Sequence, residues 1–160
     1  MRSLTIATCL ALAGSLAALP TSLVAQTSTD PCSLLTAQDV SGVLGIKSLP
    51  GRPYMGSKAV CFYSVDTTFD LTARTVTLMV LPTGGFDAGK QMGASGPLAG
   101  KSAGVGDDSY YVSYGHYAKL GVKKGSHEFT ITVTPGPEKA TPDQLAELEK
   151  ALAQEAVGKL

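Results

Sequence analysis

Tryptophan is absent from this 160-residue chain, histidine occurs twice and cysteine three times. Each scarcity closes off a class of function. Without tryptophan there is no lectin-like stacking on that residue. The two histidines, His116 and His127, stand neither in an HExxH pattern nor beside a cysteine cluster, so no metal site is expected and both are read as strand-end residues. The cysteines lack the CxxC spacing of a dithiol redox or metal motif. Charge of one sign is also missing, because 13 basic residues balance 13 acidic ones. A nucleic-acid binder normally carries a basic excess, so no nucleic-acid partner is expected.

Catalytic and cofactor motifs fail at single positions. Ala99-Gly100-Lys101-Ser102 has the end of a phosphate-binding loop, but Ser95 stands where the first glycine belongs. Gly104-Val105-Gly106 starts a dinucleotide fingerprint and reaches Ser109 where its third glycine should be. Ser113 is followed by Gly115 but preceded by Tyr111, which is not a nucleophile elbow. Asp107 and Asp108 are too few oxygen donors for a calcium loop and read as a solvated turn entering a strand. No cofactor and no catalytic residue are expected, although a triad of distant residues is recognised only by geometry.

What is present begins with an address. Arg2, an apolar run from Leu4 to Leu19 and Leu23-Val24-Ala25 before Gln26 form the n-region, h-region and cleavage site of a secretory signal peptide. Thr5, Thr8, Gly14, Ser15 and Pro20 interrupt the run, which disfavours a retained membrane span. Cys9 lies inside the run after Thr8, not after a small residue at its end, which disfavours a lipid anchor. The expected division is a signal peptide at 1–25, a flexible lead-in at 26–31 and a single domain at 32–160, periplasmic or secreted. Cys32 and Cys61 then remain as an even pair in an exported chain and are expected to form a disulfide.

The fold expected is α+β, an antiparallel sheet of about five strands with a short N-terminal helix and a C-terminal helix packed on it. Thr36 and Asp39 resemble a capping box with Gly45 as the stop of the first helix. Pro50, Gly51, Pro53 and Gly56 predict a loop before a strand around Ala59 to Val65. Val76, Leu78 and Val80 alternate with Thr75, Thr77 and Met79, and Phe129, Ile131 and Val133 alternate with threonines. Gly84 to Gly93 is weakly helical, and two strands, Ser109 to Tyr114 and Tyr117 to Lys123, flank a turn at Gly115 as part of a meander. Thr141-Pro142-Asp143-Gln144 starts the last helix, on which Leu145, Leu148, Leu152 and Ala156 form one stripe.

Four of the six tyrosines, Tyr110, Tyr111, Tyr114 and Tyr117, fall within eight residues, close to Lys119. Tyrosine joins an apolar body to a polar tip and suits a ligand groove or an interface. Strand alternation places Tyr110 and Tyr114 on one face and Tyr111 on the other, and tyrosines of a strand also serve as core. The candidate ligand-binding residues are Tyr110, Tyr114, Tyr117 and Lys119.

The order Asp30-Pro31-Cys32-Ser33-Leu34-Leu35-Thr36, the run Cys61-Phe62-Tyr63, the segment Gly104-Val105-Gly106-Asp107-Asp108-Ser109-Tyr110-Tyr111 and the closing helix resemble a broad class of bacterial envelope proteins. That class includes actinobacterial lipoproteins and the extracellular sensor domain of PknH-type serine/threonine kinases. The resemblance implies an α+β domain with a ligand-holding cleft and no catalytic residues. The chain departs from it in having no lipobox cysteine, no kinase domain and no cysteines for a second disulfide. Direct signalling through the chain is therefore not expected, nor is a membrane span once the signal is cleaved. The functional expectation is an exported, sensor-like, non-enzymatic domain that binds a small molecule, a cell-wall fragment or an envelope protein. The alternatives are a hydrolase with a non-local catalytic site and a structural protein-interaction module.

Overall fold

The computed structural model describes residues 29–67, 73–93, 97–114, 117–137 and 139–160. The expected signal segment 1–25 and His116 lie outside the described residues, as do the side chains of Ser113, Tyr114 and Tyr117. The fold is α+β. Helices α1 (Ala37–Leu44), α2 (Gly85–Met92) and α3 (Pro142–Val157) accompany strands β1 (Arg52–Pro53), β2 (Val60–Ser64), β3 (Arg74–Val80), β4 (Asp108–Tyr114), β5 (Tyr117–Lys124) and β6 (His127–Pro135). The six strands form one sheet in the order β1-β2-β3-β6-β5-β4, with every pairing antiparallel. Strands β4, β5 and β6 are the expected meander. The sixth strand is β1, which falls in the segment read from its prolines and glycines as loop.

Both terminal helices begin as their sequences dictate. The Thr36 hydroxyl accepts from the Asp39 amide and the Asp39 carboxylate accepts from the Thr36 amide, closing a capping box; Gly45 ends α1 at φ +65°. Thr141 and Gln144 close a second box before α3, with proline in its first turn. Each box satisfies two amides that a helix start leaves without intrahelical acceptors.

One face of the sheet presents Tyr63, Val76, Leu78, Leu120, Val122, Phe129, Ile131 and Val133 to α1 and α3, which contribute Val40, Leu44, Leu145, Leu152, Ala153 and Ala156. Burying a leucine-sized side chain is worth about 1.5–3 kcal/mol, so this layer dominates stability. Cys32 and Cys61 are joined by the expected disulfide, which fastens the start of the domain to β2. Beside it the buried Tyr63 hydroxyl donates to the Leu35 carbonyl at 2.9 Å. The last three residues of the lead-in expected at 26–31 make contacts with the domain. Thr29 Oγ1 meets His127 Nδ1 at 2.9 Å, Asp30 accepts from the Cys32 amide, and Pro31 is buried.

The opposite face is covered at its β4 end by α2, through a second cluster of Phe86, Tyr110 and Val112. The outer edge of β4 is occupied by the preceding loop: the Tyr111 amide donates to the Lys101 carbonyl, the Gly100 amide donates to the Tyr111 carbonyl, and the Ala103 amide donates to Ser109 Oγ. At the other end β1 pairs with Cys61 and Phe62 of β2, and the Leu49 amide donates to the Ser64 carbonyl.

Candidate ligand-binding hairpin

The tyrosine segment is the β4–β5 hairpin, in register from Asp108↔Lys123 to Tyr114↔Tyr117. Alternation separates its aromatics. Tyr111 faces α3 and donates its hydroxyl to the Ala146 carbonyl at 2.8 Å. Burial, and then the carboxylate of Glu149, hold its phenol above the ordinary range. Tyr110 points the other way, is 3% exposed and packs edge-on against Phe86 with ring centroids 4.9 Å apart. Its ring fills space left by two glycines: a Cβ on Gly121 would approach it to 2.5 Å and one on Gly89 would come within 2.0 Å of its hydroxyl oxygen. Tyr110 therefore lies beneath α2 and supports the hairpin from inside.

The remaining candidates lie toward the hairpin end. Tyr114 stands opposite Tyr117 on the last rung, and Lys119, half-buried, pairs in register with Val112. The base of the hairpin is pinned. Asp108 accepts from Lys90 Nζ at 2.7 Å, and that ammonium holds its carboxyl below the ordinary range. Asp107 does more than solvate a turn: it accepts from the Gly125 amide at 2.7 Å and from Lys124 Nζ at 2.8 Å, which lower its pKa in that order. The β5–β6 turn is thereby fixed to the start of β4.

The pairing of β5 with β6 runs from Lys124↔His127 to Leu120↔Ile131 and stops. Continuing that register would set Ala118 opposite Val133. Instead the Val133 amide donates to Glu149 Oε1 at 3.1 Å, from a side chain of α3 that is 0% exposed. Glu149 is thus inserted where β5 leaves β6. Its Oε2 meets no hydrogen-bond partner among the described residues. Burial pushes its pKa up to about 8, against the opposing pull of the Val133 amide and then of Lys119. Sequence reasoning missed Glu149. The available signal was its spacing, four residues after Leu145 and three before Leu152, which puts a carboxylate inside the apolar stripe of α3.

His127 begins β6, as its strand-end reading requires. Among the described residues its imidazole contacts the Thr29 hydroxyl and neither a carboxylate nor a serine. A surface groove of about 320 Å³ lies by the disulfide, lined by Asp30, Pro31, Pro53, Lys58 and Val60 among others, well away from the tyrosines in sequence and in sheet order. No helix of the described residues is long and apolar enough to cross a membrane. Comparison of the chain with models of protein families, with curated proteins and with solved structures finds no match in any of the three.

Proposed function

We propose that this protein is an exported, non-enzymatic domain that binds a small molecule or an envelope component at the end of its β4–β5 hairpin, through Tyr114, Tyr117 and Lys119. The observation that carries the reading is the parting of β5 from β6 after Leu120↔Ile131. It frees the end of a hairpin whose last rung pairs two tyrosines and whose next residue on the same side of β5 is a lysine. Flat amphipathic rings beside a cation recognise ligands that combine an apolar or sugar-like face with negative or polar groups. Tyr110, buried under α2 further along the same face, is left out of the proposed contact set. Export is supported by the signal-like start of the sequence and by the disulfide, a bond that persists in oxidising compartments.

Native mass spectrometry of the protein purified from its own host tests the reading. A mass excess that disappears on denaturation, and that is lost in a Tyr114→Ala/Tyr117→Ala variant with unchanged far-ultraviolet circular dichroism, is the expected result. Retention of the same excess by the double variant overturns the site, and a bare chain in both preparations moves the search to protein partners.

A further inference from the structure

A buried carboxyl group that interrupts a β-ladder does something an apolar side chain at the same place does not. Glu149 occupies the position at which β5 would otherwise accept the Val133 hydrogen bond, and the strand it displaces carries Lys119. We infer that Glu149 is a proton-operated wedge: in its neutral form it sits between β5 and β6 and holds the β4–β5 hairpin end in its parted position, and when ionised it drives local opening that lets water reach the carboxylate. The wedge stands whether or not the hairpin binds a ligand; its bearing on ligand affinity rests on the proposed function above.

The surroundings of Glu149 determine the direction of the effect. From β4 comes the Tyr111 phenol, whose proton is committed to the Ala146 carbonyl. From β5 comes Lys119, the cation that favours ionisation. The facing residues of β6, Ile131 and Val133, are uncharged, and Asp39 of α1 is paired with Lys159 beyond the end of α3. Lys101, Glu147 and Lys150 line an outer groove at Tyr111. Ionising Glu149 in place therefore sets a carboxylate with one oxygen unpartnered inside the core, a state that costs more than a solvated one.

The sign follows by linkage. An opened, hydrated Glu149 titrates near its ordinary 4.5, whereas the closed form holds its proton to about 8. Below the first value both forms are protonated and above the second both are ionised, so neither range favours opening further. Between them the closed form retains a proton that the open form has lost, and each pH unit favours opening by about tenfold. The contribution of the closed wedge is thus full at acid pH and is lost as pH rises through about 8. Lys119 acts on Glu149 only through its charge, from the opposite face of the sheet, and the hairpin end that carries Lys119 is what links the wedge to ligand affinity.

Amide hydrogen exchange of the disulfide-bonded protein, measured by NMR across the window and corrected for the intrinsic base-catalysed rate, tests the wedge without any ligand. Exchange at Ala118, Lys119 and Val133 should accelerate by up to about tenfold per pH unit beyond the intrinsic rate and level off above the Glu149 midpoint. Glu149→Gln should abolish the excess, and Lys119→Met should move the Glu149 carboxyl-carbon titration to higher pH. If Glu149→Gln fails to fold, the wild-type series and the Lys119→Met titration decide alone. Wild-type amides that follow only the intrinsic rate, or a Glu149 carboxyl carbon that titrates in the ordinary range, overturn the inference. Neither result depends on Tyr114 and Tyr117, so failure of the wedge and failure of the binding site are separable.

Discussion

Tyr110 and Glu149 depart in opposite directions from what their residue types suggest: an aromatic placed among surface contacts is core, and an acid on a helix is core as well. Tyr110 is fixed by what is missing around it, since Gly121 beneath and Gly89 above leave the space its ring takes. Overpacking of this kind costs about 1–3 kcal/mol, so Gly121→Ala should lower the unfolding free energy by that amount, read from a lower urea midpoint. Gly42→Ala, whose added Cβ meets nothing within 4 Å, should be neutral or slightly stabilising. Equal losses from both substitutions in equilibrium unfolding would mean that the ring relaxes freely. Alternation alone revealed that Tyr110 and Tyr111 face opposite sides. It carried no information on which side is covered, because the cover, α2, is a glycine-rich segment with a weak helical pattern. Glu149 was illegible for a different reason: one polar residue in an apolar stripe reads as variation until a backbone donor is found facing it.

Helix α2 has Gly84 at its N-cap position and so no side-chain cap of its own. Its cap comes from across the sheet, where Glu128 of β6, 6% exposed, accepts the Phe86 amide at 3.0 Å and lies 3.7 Å from Lys123 Nζ. Removing the carboxylate strands a buried amide donor, a loss of about 1–3 kcal/mol. Glu128→Ala should therefore destabilise the fold by that much and raise exchange throughout α2, while Glu128→Gln, which keeps an acceptor oxygen, should lose less. Loss of stability without faster exchange in α2 would contradict this capping role. Elements that carry their own local instructions were legible. Helices α1 and α3 announce themselves by capping boxes and periodicity, and β3 and β6 by alternation. Strand β1 was not, because a two-residue strand containing Pro53 has no period to read and exists only through its pairing with Cys61 and Phe62. The parting of β5 from β6 was invisible for the same reason, as it depends on a contact between β6 and a helix formed later in the chain.

At the scale of the whole molecule, the disulfide and the large core act on the same face of the sheet. The bond spans 29 residues in sequence and fixes the segment before α1 against β2. In the chain-entropy description a loop of this size contributes about 3–4 kcal/mol, so reduction should lower the unfolding free energy by that amount, read from urea curves with and without reductant. An unchanged midpoint would mean that Tyr63 and the helix packing alone hold the segment in place. The two sides of the sheet are unequally secured. One is a continuous core under α1 and α3, while the other relies on α2 and its borrowed cap. The lateral margins of the sheet complete this picture. Tyr111 on one margin and Ser64 on the other already have backbone groups bonded to neighbouring loops. A second chain that tries to extend the sheet sideways at these points must first break bonds that exist, which protects both margins against strand addition.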